Sequence, residues 1–420
     1  MPLDRKAKAW ALYDWANSAY ATTIMAGFFP VFFKDFWSIG ISPTESTFWL
    51  GVSVSTASLL VAVVAPVLGA IADGGSARKR SLLLFASVGI ACTATLYFIP
   101  QGYWQAAATI YCLASIGFLA ANIFYDALLV SVSTAEEIDR ISSLGFALGY
   151  LGGGLLFSIN LLMAHKPASV YLTSQTEAVR VSFLTVAVWW AVFTLPLAIY
   201  VPEPTRTKSI SLVDAFKLGI QRLGDTIRQL TKLRGIVRFL FAYWLYIDGV
   251  HTIITMSVDY GKNIGLTTNE LISGLLLVQF IGFPGTYLTG KLARRYGAKT
   301  VVMFCLSIYL FVTIIAATMD SKAYEILGLN VSKFYLLATL IGLVQGGVQA
   351  LSRSMYANFI PTDKEAEFFG LYNMLGKFAS IFGPLLIGAT SLLSGSPRYG
   401  VLSIAALFLT GMLLLSKVRY

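Results

Sequence analysis

Twelve runs of about 20 mostly apolar residues, joined by short polar connections, constrain this chain more than any other feature. A run of that length crosses a bilayer as a helix, because lipid leaves every backbone amide and carbonyl to be paired within its own segment. The runs fall at about 11–36, 48–72, 81–100, 106–130, 142–164, 181–201, 236–257, 270–293, 300–319, 334–356, 369–393 and 399–416. Composition agrees: 56% of the residues are hydrophobic, only 12% are charged, and the mean hydropathy is +0.71. The sequence reads as an all-α membrane protein of twelve transmembrane helices.

One long connection splits the spans six and six. The expected organisation is an N-terminal six-helix bundle over 1–201, a linker over 202–234 and a C-terminal six-helix bundle over 235–420. In the linker, Val213, Phe216, Ile220, Leu223, Ile227 and Leu230 recur at helical spacing against Lys217, Arg222, Arg228 and Lys232. That is the pattern of a basic amphipathic helix lying on a membrane surface. Most of the 31 Lys and Arg residues fall on one side of the spans when the N-terminus is placed in the cytoplasm. Basic loops stay on the cytoplasmic side, so both termini and the linker are expected there. The compact loops fit a bacterial inner membrane.

The same inventory removes several classes of function. The net charge of +10 is spread between spans rather than gathered on a soluble face, so no nucleic-acid partner is expected. Cys92, Cys112 and Cys305 sit singly within apolar runs, and His165 and His251 are the only histidines, so neither a disulfide framework nor a metal site is expected. The segment Gly285 to Leu292 approaches a phosphate-binding loop. It ends on Leu292 where magnesium needs a hydroxyl, and no strand precedes it. With no nucleotide site, cofactor or catalytic constellation, the chain does not read as an enzyme, and gradient-driven transport is the default. Asn330-Val331-Ser332 forms a glycosylation triplet in a connection expected on the outer side.

Polar residues inside the spans carry the functional signal. A carboxylate at the centre of a span costs roughly 2.5–3.5 kcal/mol on insertion scales, so it faces protein or water. At helical periodicity Asp14, Asn17 and Ser18 share a face of span 1, and Ser115, Asn122 and Asp126 a face of span 4. Asp248, His251, Thr252, Thr255 and Asp259 align in span 7, and Gln345, Gln349, Ser352 and Tyr356 in span 10. The two halves also echo one another. The spacing of Asp14, Asn17 and Ser18 returns as Asp248, His251 and Thr252, and Gly69–Arg80 (GAIADGGSARKR) returns as Gly290–Lys299 (GKLARRYGAK). Such repeats mark secondary transporters, with the solute site near the midplane between repeats. Gly145, Gly149 and Gly153 form a small-residue ridge, expected to pack between the halves.

Six plus six spans, a long central loop and a Gly-x-x-x-Asp…Arg-Lys-Arg loop after span 2 resemble the major facilitator superfamily. More specifically, Tyr13–Ile24 (YDWANSAYATTI), Phe124–Leu129 (FYDALL), Leu144–Gly154 (LGFALGYLGGG), Tyr246–Ile253 (YIDGVHTI) and Gln345–Tyr356 (QGGVQALSRSMY) resemble its vacuolar-effluxer-like branch, associated with autophagy in fungi. The loop departs from the superfamily pattern in having Gly74 after Asp73, and Arg294 in the second copy where the first has Asp73. The resemblance implies two pseudo-symmetric six-helix bundles in the major facilitator fold, with spans 1, 4, 7 and 10 lining a central cavity. It also implies transport of a small polar solute, with an amino acid or related metabolite leading.

Roles follow from depth and chemistry. Asn17, Ser18, Asn122, Thr252, Gln345, Gln349 and Lys377 are expected to bind solute. Asp248, with His251 one turn away in mid-span, is expected to couple protons, since an imidazole titrates near neutral pH. Asp14, placed nearer the cytoplasmic end of its span, is expected to gate with Asp73, Arg78, Asp126 and Arg353. Asp126 and Arg353 are expected to pair when the cavity faces outward. The protein is expected to act as a monomer in the bilayer. Two other readings share these residues: a lipid-handling, scramblase-like protein, and a transporter-derived sensor or scaffold that recruits a partner through the basic linker.

Overall fold

The computed structural model describes residues 3–41, 43–75, 77–203, 234–319, 323–326, 329–361, 364–394 and 396–418. The first helix, α1 (Arg5–Ala19), continues into a wider helix over Tyr20–Phe28, where hydrogen bonds reach five residues back. A short α-turn, Phe29–Phe32, then leads into a second wide segment, Phe33–Trp37. Pro30 lies between the two wide segments and cannot donate to the helical ladder.

The chain goes on as α2 (Pro43–Gly75), α3 (Arg78–Thr95), α4 (Trp104–Val132), α5 (Ile138–His165) and α6 (Gln175–Tyr200). After the linker come α7 (Arg234–Asn263), α8 (Thr268–Tyr296), α9 (Ala298–Ala317), α10 (Lys333–Ala357) and α11 (Glu365–Ser394). The last, α12, is in two pieces, Pro397–Ser403 and Ala405–Ser416. Among the described residues, α3 to α10 and α12 supply nine helices long and apolar enough to cross a membrane. The connection between α9 and α10, expected as a plain loop, holds an antiparallel hairpin of β1 (Ala323–Ile326) and β2 (Leu329–Ser332), with Asn330 opposite Glu325.

Local chemistry sets the helix ends. Thr267 and Glu270 cap the start of α8 reciprocally: the Glu270 amide donates to the Thr267 hydroxyl at 3.3 Å and the Thr267 amide to the Glu270 carboxylate at 2.8 Å. Ser174 accepts from the Glu177 amide at the start of α6. The turn from α8 to α9 passes through Gly297 at φ 84°, a conformation that favours glycine. On α3, α6, α9 and α12, Leu84, Val188, Phe304 and Leu413 are each more than 60% exposed. Apolar surface of that extent suits lipid rather than water.

Two compact units emerge from the packing. Unit 1 holds residues 1–134, 148–223 and 361–374, and unit 2 holds 135–147, 224–360 and 375–420. Each unit is thus built mostly from one half of the chain and takes one short segment from the other. The crossing segments are the beginnings of α5 and α11. Unit 1 packs α3 against α4, α1 against α6 and α2 against α4, and unit 2 repeats the scheme with α9 and α10, α7 and α12, and α8 and α10. The α3–α4 contact is close enough that a Cβ at Gly117 would lie 2.6 Å from the Gly89 nitrogen. In unit 2, Tyr260, Val312, Ala316, Met319, Leu337 and Val401 form an apolar cluster.

Candidate functional site

In unit 1 the residues of α1 whose spacing recurs in α7 meet α4 and α5. Asp14 accepts from the Ser18 hydroxyl at 3.3 Å and from the Tyr125 hydroxyl at 3.4 Å. Both Asp14 and Ser18 lie against Gly149 of α5, where a Cβ would come within 2.6 Å of the Ser18 hydroxyl and 3.1 Å of Asp14 Oδ1. One turn further, a Cβ at Gly153 would meet the Thr22 hydroxyl at 2.6 Å. The glycine ridge therefore seats α1 at positions 149 and 153, within unit 1, rather than packing one half of the chain on the other. Asn17 donates to the Asn122 carbonyl oxygen at 2.6 Å, and Tyr20 shares a hydrogen bond of 2.9 Å with Ser115. Trp10 stacks on Tyr125 at 4.2 Å while its indole N–H donates to the Tyr125 backbone oxygen. The span 1 and span 4 stripes are thus brought together, and Asn122 stays half-buried with an amide N–H to offer.

Unit 2 builds the counterpart. Asp248 is buried, accepts from the Thr252 hydroxyl at 3.4 Å, and accepts from the Gly383 backbone N–H of α11 with both oxygens, at 3.0 and 3.1 Å. Tyr246 shares a hydrogen bond of 2.6 Å with Ser352, joining the span 7 and span 10 stripes. Gln345 is buried, and its side-chain carbonyl oxygen has no hydrogen-bond partner among the described residues. His251 and Gln349 are half-buried. Thr252 is fully buried, and its hydroxyl is committed to Asp248. The side chains of Asp73, Asp259 and Lys377, and the amphipathic segment of the linker, lie outside the described residues.

The crossing segments bring the remaining candidates into place. In unit 1, Arg78 at the start of α3 pairs with Glu365 at the start of α11, with both side chains under 10% exposed. Asn373 of α11 donates to Asp126 at 2.9 Å, and a Cβ at Gly69 would overlap the Ala366 carbonyl. In unit 2, Arg353 donates from Nε to the Ser142 hydroxyl at 3.0 Å and from its terminal nitrogen to the Ser142 carbonyl at 2.9 Å. Its guanidinium lies 4.3 Å over the Phe146 ring, and Ser142 in turn donates to the Ala350 carbonyl. A Cβ at Gly290 would come within 2.5 Å of Ser143. The two glycines that open the repeated loops, Gly69 and Gly290, therefore each receive the first turns of a helix from the other half.

Several contacts that sequence reasoning missed repeat from unit to unit. Lys79 donates to the Ala198 and Val201 carbonyls at the end of α6, as Lys299 does to Ser416 and Val418 at the end of α12. Arg180 reaches the Tyr97 carbonyl and Arg398 the Met319 carbonyl. Arg5 donates to Tyr200, and Arg238 to the Lys417 carbonyl. Glu203 adds a cap, accepting from the Lys79 and Arg80 amides. The signal was present in the second loop copy, where Lys299 follows Gly290 at almost the interval by which Lys79 follows Gly69. Among the described residues no three His, Cys, Asp or Glu side chains come close enough to hold a metal ion.

Comparison with known proteins agrees with this architecture. The family model for vacuole effluxer Atg22-like proteins matches residues 4–420. YxiO, an uncharacterized MFS-type transporter of Bacillus subtilis, is 38% identical over 418 residues, covering 99% of this chain and 95% of that protein. Autophagy-related protein 22-1 of Penicillium rubens is 23% identical over 532 residues, covering 96% of this chain and 87% of that protein. Among solved structures, the proton:xylose symporter XylE superposes with a TM-score of 0.71 at 13% identity, over 98% of this chain and 94% of that one. The human organic anion transporter MFSD10 gives 0.72 at 15% identity, over 98% and 99%. At such identities the likeness concerns the fold, which is the twelve-helix major facilitator arrangement of two pseudo-symmetric bundles.

Proposed function

The chain belongs to the Atg22-like family of major facilitator transporters, and from that membership we propose that it moves an amino acid or related small polar solute by proton-coupled alternating access. That it is a multi-pass membrane transporter and not an enzyme follows from the family itself. The solute and the coupling ion rest on the site. The observation that carries the reading is the unpartnered, buried side-chain oxygen of Gln345. Leaving such an acceptor unmet costs about 1–3 kcal/mol, and the ammonium group of an amino acid supplies the missing donor. Gln349, one turn on in the same unit, suits a second polar group of a zwitterion; Asn17 and Asn122 of unit 1 are proposed as solute-binding residues from their chemistry alone.

Asp248, with His251 beside it in sequence, serves as the proton site in this reading, because a buried carboxylate on a cavity helix has two charge states for the transporter to couple. Arg78 with Glu365 and Asp126 with Asn373 in unit 1, and Arg353 with Ser142 in unit 2, act as latches, and Asp14 and Asp73 are assigned to the same gating role. Lys377 and Ser18 complete the set proposed to serve solute binding, while Thr252, fully buried with its hydroxyl on Asp248, holds that carboxylate rather than the solute. The excess of basic residues in one set of loops supports cytoplasmic termini, in a bacterial inner membrane.

The test is a thermal-shift screen of the purified protein against amino acids, peptides, sugars and organic acids, followed by flux in proteoliposomes under an imposed pH gradient. Amino acids are expected to stabilise the protein and to accumulate when the gradient is applied. Gln345→Leu should weaken that binding about tenfold. Stabilisation by sugars alone, or pH-driven accumulation undiminished in Asp248→Asn, would sink the solute and proton assignments respectively.

A further inference from the structure

We infer that Asp248 caps a hinge in α11 at Gly383–Pro384, and so positions that helix independently of any proton it carries. Pro384 lies inside α11 and has no N–H, so the Ser380 carbonyl loses its helical donor and the ring crowds it. A transmembrane helix bends at such a point. The N–H immediately before the proline, that of Gly383, is taken by both oxygens of Asp248, at 3.0 and 3.1 Å. The C-terminal part of α11 thus begins at a proline whose preceding amide carries a carboxylate, as an N-cap places an acceptor at a helix start.

Residue 383 has to be glycine for this. A Cβ there would overlap the Thr252 hydroxyl and sit 2.9 Å from Asp248 Oδ1, so any side chain would push the carboxylate away from the amide. Thr252 in turn donates to Asp248 at 3.4 Å and holds it toward α11. A comparable close approach, of an aspartate and a hydroxyl one turn on to a glycine, occurs where Asp14 and Ser18 of α1 meet Gly149 of α5. There the receiving helix contains no proline, and it passes the contact unbroken. Of the two contacts, the one at Gly383 adjoins a proline. Helix α11 is also one of the two that change unit along their length, doing so after Met374 as α5 does after Ala147. The bend itself, at Gly383–Pro384, lies within unit 2, as Asp248 does.

The purpose assigned to the hinge rests on the proposed alternating access, but its test does not. Hydrogen exchange of the peptide covering 380–390 is measured by mass spectrometry on the full chain in nanodiscs. The comparison covers the parent, Asp248→Ala, Asp248→Asn, Pro384→Ala and the Asp248→Ala/Pro384→Ala double variant. Asp248→Ala removes the cap and should speed exchange of this segment about tenfold or more. Asp248→Asn keeps an acceptor oxygen, as capping residues do, and should stay within about threefold of the parent. Pro384→Ala returns a donor to the Ser380 carbonyl, so adding Asp248→Ala to it should change exchange little. Equal acceleration by Asp248→Ala in both backgrounds, no acceleration, or Asn behaving as Ala overturns the hinge. If Asp248→Ala alone does not fold, recovery of folded protein by Pro384→Ala supports the hinge and lack of recovery overturns it. Transport separates the two readings: Asp248→Asn with intact protection but undiminished pH-driven accumulation removes the proton role and leaves the hinge standing.

Discussion

Replacing Glu365 by Gln keeps the shape of the side chain but removes the carboxylate that faces Arg78. Both side chains are nearly excluded from solvent, at 7% and 9% exposed, so water cannot make good the loss. Breaking a pair this buried costs about 3–5 kcal/mol, and Arg78 keeps other contacts, so the lower end applies. About 3 kcal/mol taken from the arrangement that holds the start of α11 in unit 1 shifts its equilibrium by roughly 100-fold toward release. The assay places a cysteine at Ala366, which is fully buried against Gly69, in a background with Cys92, Cys112 and Cys305 changed to Ser. Labelling by an impermeant maleimide from the side of the termini then reports the released fraction, and should run roughly 100-fold faster in Glu365→Gln. Removing both charges, with Arg78→Gln added, should bring the rate back toward the parent, because a neutral pair carries no uncompensated charge. Labelling within about threefold of the parent in Glu365→Gln, or no recovery in the double variant, would refute the claim that this pair latches α11.

Three further outcomes are expected. Gly69→Val should cost about 1–3 kcal/mol of the same latch by crowding the Ala366 carbonyl, and should speed labelling at 366, whereas Gly290→Val, which crowds Ser143, should leave that label slow. Lys79→Met and Lys299→Met each remove a half-buried ammonium from two helix-end carbonyls, and should lower thermal stability by similar amounts, about 1 kcal/mol each; a difference greater than twofold in detergent melts would deny their equivalence. Asn122→Ala should weaken the solute identified by thermal shift about tenfold without moving exchange of the 380–390 segment, and an unchanged titration removes Asn122 from the site.

How far the sequence could be read depended on whether the information was local. Span count and the repeated halves were legible, since hydropathy over 20 residues and the twin loops at Gly69 and Gly290 are properties of contiguous segments. Depth was harder. Hydropathy started span 1 near residue 11, whereas α1 starts at Arg5, whose charge is accommodated over the Tyr200 ring at 3.8 Å. Periodicity brought Asn17 and Asn122 to the right faces but could not pair them. It assigned His251 to Asp248 as the residue one turn away, and gave no sign of Gly383, whose backbone amide belongs to a helix 135 positions later. The glycine-proline pair at 383–384 was the available clue. Helical spacing at 100° per residue also fails beyond Ala19, because the wide turns over Tyr20–Phe28 rotate each residue by less.

The division of α5 and α11 between units bears on how the protein is made. A chain threaded into the membrane from its N-terminus produces α1 to α4 early, yet unit 1 lacks residues 361–374 until most of the chain has been synthesised. Until then Arg78 is without Glu365 and Asp126 without Asn373, while residues 135–147 wait for α8 and α10 to arrive. Neither half alone therefore holds every segment of its unit. A nascent chain halted in the linker holds six inserted helices whose Gly69 face is still open, a surface that membrane quality control can recognise as unfinished. Two halves expressed as separate polypeptides have to meet before either unit closes.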